Sequence, residues 1–324
     1  MNQHTVRARK VCDIMYFPYF RGKQFELILL REQAEFLAEN HQVPIIAPVR
    51  YDTRQLKRTI DALNTAQAEH VIVVNPSAGD HATDCSPILS LLRELDPNAK
   101  TIAGLKLGPD TDNEEIETFL QSPPTSKFAL IHNKYGDHNF LHNQLSAHQA
   151  TETYNIFLSA EERLYKSKFT RNTVLIEDGF TQRRNREYPP SELFSDLYLT
   201  HSDIGYNHFG DYLTIGEPYR EGGGPAYAVA IHITYINTAN DDTIWINHYI
   251  SDSNDSPSDP GNKAREALRK LAHDISEGNL PTSSEALNIL LEHYDNDRYP
   301  GLGMLKKLSM WHHLCVMKEA CARN

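Results

Sequence analysis

The chain has 324 residues, of which 40% are hydrophobic and 23% are charged, so a disordered protein is excluded. Its formal net charge of −11 argues against a broad nucleic-acid surface and against adhesion to anionic membranes. No apolar run approaches the roughly 18 residues of a membrane-spanning helix, and the N-terminus lacks the apolar core of a signal peptide.

Residues 1–14 are predicted to form an N-terminal extension, and residues 15–324 a single elaborated domain without a linker or repeat. Seven short apolar runs predict strands, at residues 14–20, 43–49, 70–76, 101–108, 128–136, 154–159 and 172–179. Most precede a segment with helical spacing, and continuous apolar runs are typical of parallel strands buried on both faces. This repeat predicts an α/β fold, a TIM-like βα barrel, rather than a dinucleotide-binding sheet, since no GxGxxG follows the first strand.

Two β-rich runs, at residues 222–237 and 242–254, flank the loop "TANDD" and predict a β-hairpin insertion. We expect this hairpin to join the main sheet, with one or both of its strands completing the barrel. If Asn237 pairs with Thr243, His232 lies opposite His248, and a two-histidine metal site is a weaker alternative. Helices are predicted from Asn262 onward, and the late "WHH" (311–313) is expected at the surface.

Polar residues follow the ends of the predicted strands. In a βα barrel these carboxyl ends surround the active site. The cations there predict a pocket for a small anionic ligand or a nucleotide, because cations gathered at one rim of an acidic protein attract phosphate or carboxylate. The predicted anion-binding residues are Arg21, Lys23, Lys106, Lys134 and Arg184, and Arg50, Asn75 and Asn133 share the same rim.

Three further residues at this rim are candidates for catalysis. Glu177, Asp178 and His132 each lie toward the carboxyl end of a predicted strand, and each side chain can transfer a proton. Adjacent strand residues point to opposite faces, so we expect Glu177 to point inward, beside Lys106, Lys134 or Arg21, and Asp178 to face outward. The alternative interpretation is a structural ion pair between Lys106 and Glu177.

A divalent metal such as magnesium is considered at Asp252 and Asp255, within an acidic loop. The loop does not match an EF-hand, because Lys263 stands at the twelfth position, and Asp259-Pro260 is typical of a helix N-terminus. The glycines 222–224 indicate a flexible turn before a strand more than a phosphate-binding loop. No other cofactor is indicated.

Four cysteines, Cys12, Cys85, Cys315 and Cys321, are scattered without a CxxC pair. This spacing favours reduced thiols in a cytoplasmic protein over a zinc site.

Several segments carry a family resemblance. They are "MYFPYFRGKQFELILLRE", "PIIAPV", "LIHNKYGD", "VLIEDGF", "GGPAYAVAIHITYI" and "HYISDSNDSPSDP", within residues 15 to about 274. Together they resemble an uncharacterised bacterial family related to the phage and bacterial Beta protein family. Ala47 stands where that family often has glutamate, which departs from its pattern on the second strand.

The resemblance implies a barrel protein encoded near mobile-element or phage-defence genes, often beside a nuclease-like partner. Two functions follow from residues and resemblance together. One is an enzyme acting on an anionic, phosphate- or carboxylate-bearing substrate at the barrel mouth. The other is a non-catalytic sensor or scaffold for the nuclease-like partner. An open polar mouth favours the enzyme, and a mouth filled by apolar side chains favours the scaffold.

Overall fold

A computed structural model describes residues 14–147, 153–160, 163–222, 226–281 and 283–323. Residues 1–13 of the predicted N-terminal extension lie outside these ranges, as do Cys12 and the glycines at 223 and 224. In the part of the chain that the model describes, no helix is both long and apolar enough to cross a bilayer.

Eleven strands are described. They are β1 (Tyr16–Phe20), β2 (Ile45–Ile46), β3 (His70–Val73), β4 (Thr101–Leu107), β5 (Phe128–His132), β6 (Thr153–Phe157), β7 (Thr173–Glu177), β8 (Ser191–Ser195), β9 (His208–Asp211), β10 (Ala230–Asn237) and β11 (Thr243–Ile250). Strands β1 to β7 and β9 form a closed barrel of parallel strands. The predicted barrel and its first seven strands are therefore confirmed.

Helices follow the strands around the barrel and continue after the hairpin. They are α1 (Gln24–Glu32), α2 (Ala34–Glu39), α3 (Arg54–Thr65), α4 (Ser86–Arg93), α5 (Asn113–Gln121), α6 (His138–Ala147), α7 (Arg163–Lys166), α8 (Leu197–Thr200), α9 (Pro260–Ser276), α10 (Glu285–Asp295) and α11 (Leu302–Arg323). Helix α9 begins as predicted, since the side chain of Asp259 accepts a hydrogen bond from the backbone N–H of Asn262 at 3.0 Å.

Alternate residues of strands β1 to β7 belong to two separate apolar clusters. One cluster fills the barrel interior and includes Phe17, Tyr19, Ile131, Val174 and Ile176. The other lies between the barrel and the helices, and it contains the intervening strand residues. Both strand faces are buried, which explains why the strands appear in the sequence as continuous apolar runs.

The barrel is completed by β9, and not by the hairpin as predicted. Strand β9 pairs in parallel with both β1 and β7. It has four residues and contains Gly210, so it lacks the apolar run that identified the other strands. A Cβ atom on Gly210 would lie 2.0 Å from the carbonyl oxygen of Phe17 and 2.6 Å from Cδ1 of Ile176. The close contact with β1 therefore requires glycine here.

Replacing Gly210 by alanine is expected to lower the free energy of unfolding by about 3 kcal/mol, because the methyl group meets a strand backbone that cannot move away. Chemical denaturation of the purified variant measures this change. Gly136→Ala is the matched control, since a Cβ there meets nothing within 4 Å. Equal stabilities of the two variants would contradict the assigned packing of β9.

The hairpin itself is confirmed. Strands β10 and β11 pair antiparallel with Asn237 opposite Thr243, so His232 lies opposite His248 as predicted. They join β8 in a separate three-stranded sheet and not in the barrel sheet. The two imidazoles hydrogen-bond directly, with 2.7 Å between their Nδ1 atoms. No group of three or more metal-binding side chains occurs within the described residues.

Helix α11 connects the hairpin sheet to the barrel through buried histidines. His312 and His313 are fully buried, so the predicted surface position of "WHH" is wrong. His313 Nε2 lies 3.1 Å from a carboxylate oxygen of Asp211, whose other oxygen accepts from the hydroxyl of Tyr16 at 2.7 Å. His313 Nδ1 contacts the hydroxyl of Thr234 at 2.9 Å. This buried network links β1, β9, β10 and α11.

Candidate functional site

The carboxyl ends of the barrel strands surround the mouth of the barrel. Arg21 directly follows β1, and it continues the alternation of Phe17 and Tyr19 on the interior face. Its guanidinium lies 4.9 Å from the ring centre of Tyr19 and 5.4 Å from that of Tyr212. Both tyrosines belong to the interior cluster, and the Arg21 side chain is only 12% exposed. The mouth therefore contains a positive charge above two aromatic rings.

The sequence Arg-Gly-Lys-x-x-Glu fixes the turn that carries Arg21. Glu26 is buried, and its carboxylate accepts hydrogen bonds from the backbone N–H of Arg21 at 2.6 Å and of Lys23 at 3.4 Å. Burial raises the pKa of Glu26, while these two backbone donors oppose the rise. Gly22 supplies a left-handed backbone conformation, with φ of +64°. The motif thus positions Arg21.

Lys23 also lies at the mouth, as predicted, but contacts protein groups. It stands at the N-terminus of α1, donates a hydrogen bond to the carbonyl of Arg220 and lies 4.9 Å from the ring centre of Tyr219. Burial, and secondarily the nearby Lys306, Arg21 and Arg50, lower its pKa, although Glu26 opposes the change. Lys23 therefore anchors a loop in addition to adding positive charge.

Lys106 lies near the carboxyl end of β4, in alternation with Ile102 and Gly104 on the interior face. The side chain of Asn75 binds its backbone twice, accepting from Lys106 N at 2.7 Å and donating to Lys106 O at 2.9 Å. Nζ donates to the hydroxyl of Ser77 at 2.7 Å. Lys106 makes no ion pair with any residue in the described ranges. Burial, followed by the positive charge of Arg21, lowers its pKa, while the negative charge of Glu217 opposes this change.

The predicted orientation of Glu177 is wrong. Val174 and Ile176 face the interior, so Asp178 continues that face and Glu177 lies on the outer one. Glu177 is exposed, and none of the ion pairs among the described residues involves it. Partial desolvation of its carboxyl group, followed by the neighbouring carboxylate of Asp196, raises its pKa. A structural Lys106–Glu177 pair is likewise absent from the described part of the chain.

Asp178 takes the place at the mouth that was predicted for Glu177. Its carboxylate accepts hydrogen bonds from the backbone N–H of Phe180 at 2.9 Å and of Glu217 at 2.8 Å. Asp178 is exposed by its accessible area, but partial desolvation of its carboxyl group raises its pKa. The two backbone donors oppose this rise, and the negative charges of Asp211 and Glu217 add to it. A carboxyl group with a raised pKa is suited to proton transfer.

Residues 216–222 form a covering segment at the mouth, which the sequence did not predict. Arg21 donates to the carbonyl of Glu217, and its guanidinium also lies 3.9 Å from the Glu217 carboxylate. Gln182 donates to the carbonyl of Pro218 at 3.1 Å, and Arg50 lies 3.8 Å from the carboxylate of Glu221. Gly222, part of the predicted turn, is exposed.

His132 is not at the mouth, in contrast to its predicted catalytic role. It is fully buried on the outer face of β5, with Nδ1 2.6 Å from the hydroxyl of Tyr165 and Nε2 3.2 Å from Oδ1 of Asn155. Its ring stacks on Phe157 with 4.4 Å between centroids. Burial lowers the pKa of His132 to about 3, so the imidazole is a neutral part of the packing.

The remaining predicted site residues lie apart from the interior face. Lys134 is exposed and has a left-handed backbone with φ of 64°. Arg184 is 76% exposed and lies 3.9 Å from the carboxylate of Glu187. Asp252 pairs with Arg269 at 2.8 Å and Lys270 at 2.7 Å, and Asp255 is exposed. The positive neighbours of Asp252 already balance its charge, so the structure gives the predicted magnesium site no support.

No family model and no curated protein matches the chain. Among solved structures, it is similar to a truncated form of 3-deoxy-D-arabino-heptulosonate 7-phosphate synthase from Thermotoga maritima, with a TM-score of 0.39 and 11% identity over 62% of this chain and 76% of that one. It is also similar to an HpcH/HpaI aldolase from Desulfitobacterium hafniense DCB-2, with a TM-score of 0.27 and 8% identity over 61% and 86% of the two chains. Neither likeness bears on what this chain binds.

Proposed function

We propose that the protein is an enzyme acting on a small anionic substrate, bearing a carboxylate or a phosphate, in the mouth of the barrel. The observation that carries this proposal is Lys106, a half-buried cation on the interior face without an acidic partner among the described residues. A cation removed from water is costly unless an anion accompanies it. A bound anion supplies that partner.

Arg21 and Asp178 add a second anion-binding group and a proton-transfer group to the mouth. Arg21 presents a guanidinium, which binds carboxylate or phosphate through two parallel hydrogen bonds. Asp178 has the raised pKa of a proton donor or acceptor, and two backbone N–H groups hold its orientation. Charged and hydroxyl groups at the mouth favour the enzyme over a scaffold with an apolar mouth. The interior floor below them is formed by Tyr19 and Tyr212, whose ring centres lie 5.0 Å apart.

Binding of orthophosphate and of pyruvate, measured by titration calorimetry, tests the proposal. We expect wild type to bind at least one of them, and Arg21→Met and Lys106→Met each to weaken that binding by at least about tenfold through loss of a charge-assisted hydrogen bond. Lys57→Met is the matched control, because Lys57 lies on α3 and pairs with Asp61 at 3.4 Å.

Unchanged affinity in both mouth variants, or no binding by wild type, would contradict the proposed site. Melting temperatures of all variants, measured alongside, separate a lost ligand contact from a lost fold.

The relationship to the Beta protein family stays a prediction from the resemblance. The same holds for a setting in phage defence or mobile elements and for a nuclease-like partner. Copurification with the product of a neighbouring nuclease gene tests that setting. Ala47 is buried on the interior side after β2, so this chain places a methyl group where the family often has a carboxylate.

A further inference from the structure

We infer that Lys106 is a covalent catalyst, which forms an imine with the carbonyl carbon of a small oxo acid whose acidic group is held at the mouth of the barrel. This inference rests on the proposed function and narrows it to a substrate that carries both a carbonyl and an anionic group. The position of the amine, its hydrogen-bond partner and the charges around it support this role.

The first argument is the position of the side chain. Lys106 follows Gly104 on the interior face of β4, where a Cβ at residue 104 would lie 2.7 Å from Val71 and 3.0 Å from Ile131. The barrel interior beneath Lys106 is therefore apolar and tightly packed. The aliphatic part of the Lys106 side chain extends from this apolar layer toward the mouth. The amine ends beside Ser77, which is exposed. The amine thus lies beside an exposed residue after the end of β3 and not deep in the barrel interior.

The second argument is the partner of the amine. Other lysines that are shielded from water bind acceptors that favour the ammonium form: the buried Lys307 pairs with Glu32, while the half-buried Lys166 donates to the carbonyl of Gly205 at 2.8 Å. Lys106 Nζ instead contacts the hydroxyl of Ser77 at 2.7 Å. A hydroxyl both donates and accepts, so this contact also suits a neutral amine.

The third argument is the electrostatic surrounding. Burial lowers the pKa of Lys106 most, and Arg21 across the mouth acts in the same direction by repelling a proton, while the negative charge of Glu217 opposes both effects. Both raise the share of neutral amine, which is the nucleophilic form. Arg21 in turn supplies the charge that binds the acidic group of the substrate. Arg21 therefore both positions the substrate and disfavours the protonated form of the Lys106 amine.

Imine formation consumes one proton and releases one water molecule. The neutral Nζ attacks the carbonyl carbon, the carbon–oxygen double bond becomes a single bond, and one proton moves from the nitrogen to the oxygen to give a neutral carbinolamine. A proton from the solvent then protonates the hydroxyl group, which leaves as water, and the product is a protonated imine in which the nitrogen is doubly bonded to the former carbonyl carbon. No oxidant or reductant takes part. The positive imine nitrogen withdraws electrons from the adjacent bonds and so prepares the substrate for proton loss or carbon–carbon bond chemistry.

Trapping with borohydride tests the inference. Wild type is incubated with pyruvate or with glyoxylate, reduced with sodium borohydride, and analysed by intact mass and peptide mapping. We expect one reduced adduct per chain, located on Lys106. Lys106→Arg keeps the charge and should give no adduct, whereas Lys57→Met should label like wild type. Arg21→Met should reduce labelling by at least about tenfold, since the acidic group loses its main partner.

Two results would overturn the imine alone. One is calorimetric binding of pyruvate that depends on Lys106 without any adduct on that residue, which leaves the proposed anion site intact. The other is labelling spread equally over exposed lysines, or labelling that persists in Lys106→Arg. Absence of both binding and adduct in folded wild type overturns the proposed function and the imine together.

Discussion

Lowering the pH from about 7.5 to about 5 is expected to destabilise the protein by on the order of 5 kcal/mol, because several buried histidines must gain a proton when the chain unfolds. Burial lowers the pKa of His70, His208 and His312 to about 4 in the folded state. The unfolded imidazole has its ordinary pKa of about 6.5. Each of the three contributes on the order of 1–2 kcal/mol to the change.

The direction of this effect follows from proton binding. Between the folded and the unfolded pKa, the unfolded state binds more protons, so stability falls as the pH falls. The contribution of each histidine is complete above about pH 6.5 and disappears as the pH decreases through about 4. The raised pKa values of Glu26, Glu177 and Asp178 oppose this trend, because they favour folding on acidification, whereas His132, with a pKa of about 3, adds to it.

Urea denaturation at a series of pH values measures the slope. His312→Gln should reduce the slope by up to about 1.4 kcal/mol per pH unit below pH 6.5, the value for one proton. His41→Asn is the control: His41 is exposed with φ of 51°, a conformation that asparagine tolerates. An identical slope in wild type and His312→Gln would contradict the buried neutral state of His312.

Asp211→Ala is expected to lower the free energy of unfolding by about 3–5 kcal/mol, because three buried donors lose their acceptor. The carboxylate of Asp211 accepts from the hydroxyl of Tyr16 at 2.7 Å and from the backbone N–H of Leu213 at 2.8 Å, and it lies 3.1 Å from Nε2 of His313. These partners hold α11 against the end of β9. The substitution is therefore expected to weaken the packing between the barrel and the hairpin sheet as well.

Chemical denaturation of Asp211→Ala and of Asp61→Ala provides the comparison. Asp61 is exposed on α3 and pairs with Lys57 at 3.4 Å, so its removal should change stability little. Similar stabilities for both variants would show that the buried network contributes no more than a surface pair. Other interactions would then have to hold α11 against the barrel.

The barrel was predictable because a strand buried on both faces leaves an apolar run in the sequence. Because both faces of such a strand are apolar, the sequence does not indicate which residues face inward. In Val174-Leu175-Ile176, for example, every side chain is apolar. This explains the inverted assignment of Glu177 and Asp178. Knowledge of one neighbouring contact, such as that of Gly210 with Ile176, would have corrected it.

Other features depended on contacts between residues far apart in the chain. Strand β9 was missed because its interior position takes glycine, whose role depends on the carbonyl of Phe17. The buried state of His313 depends on Asp211 and Thr234, which are distant in sequence. Residues 216–222 have no periodic pattern, and their place over the mouth follows from contacts with Arg21 and Gln182. Arg21 and Lys106 were predictable, because each closely follows a strand core.

The central claim is that Arg21 and Lys106 hold the same anion, and a double-mutant cycle on orthophosphate or pyruvate binding tests it most directly. Calorimetry on wild type, Arg21→Met, Lys106→Met and the double variant gives the coupling free energy between the two cations. We expect a coupling of at least about 0.5 kcal/mol, because the two side chains share one ligand and repel each other in its absence. Strictly additive losses, or wild-type affinity in either single variant, would contradict a shared anion site.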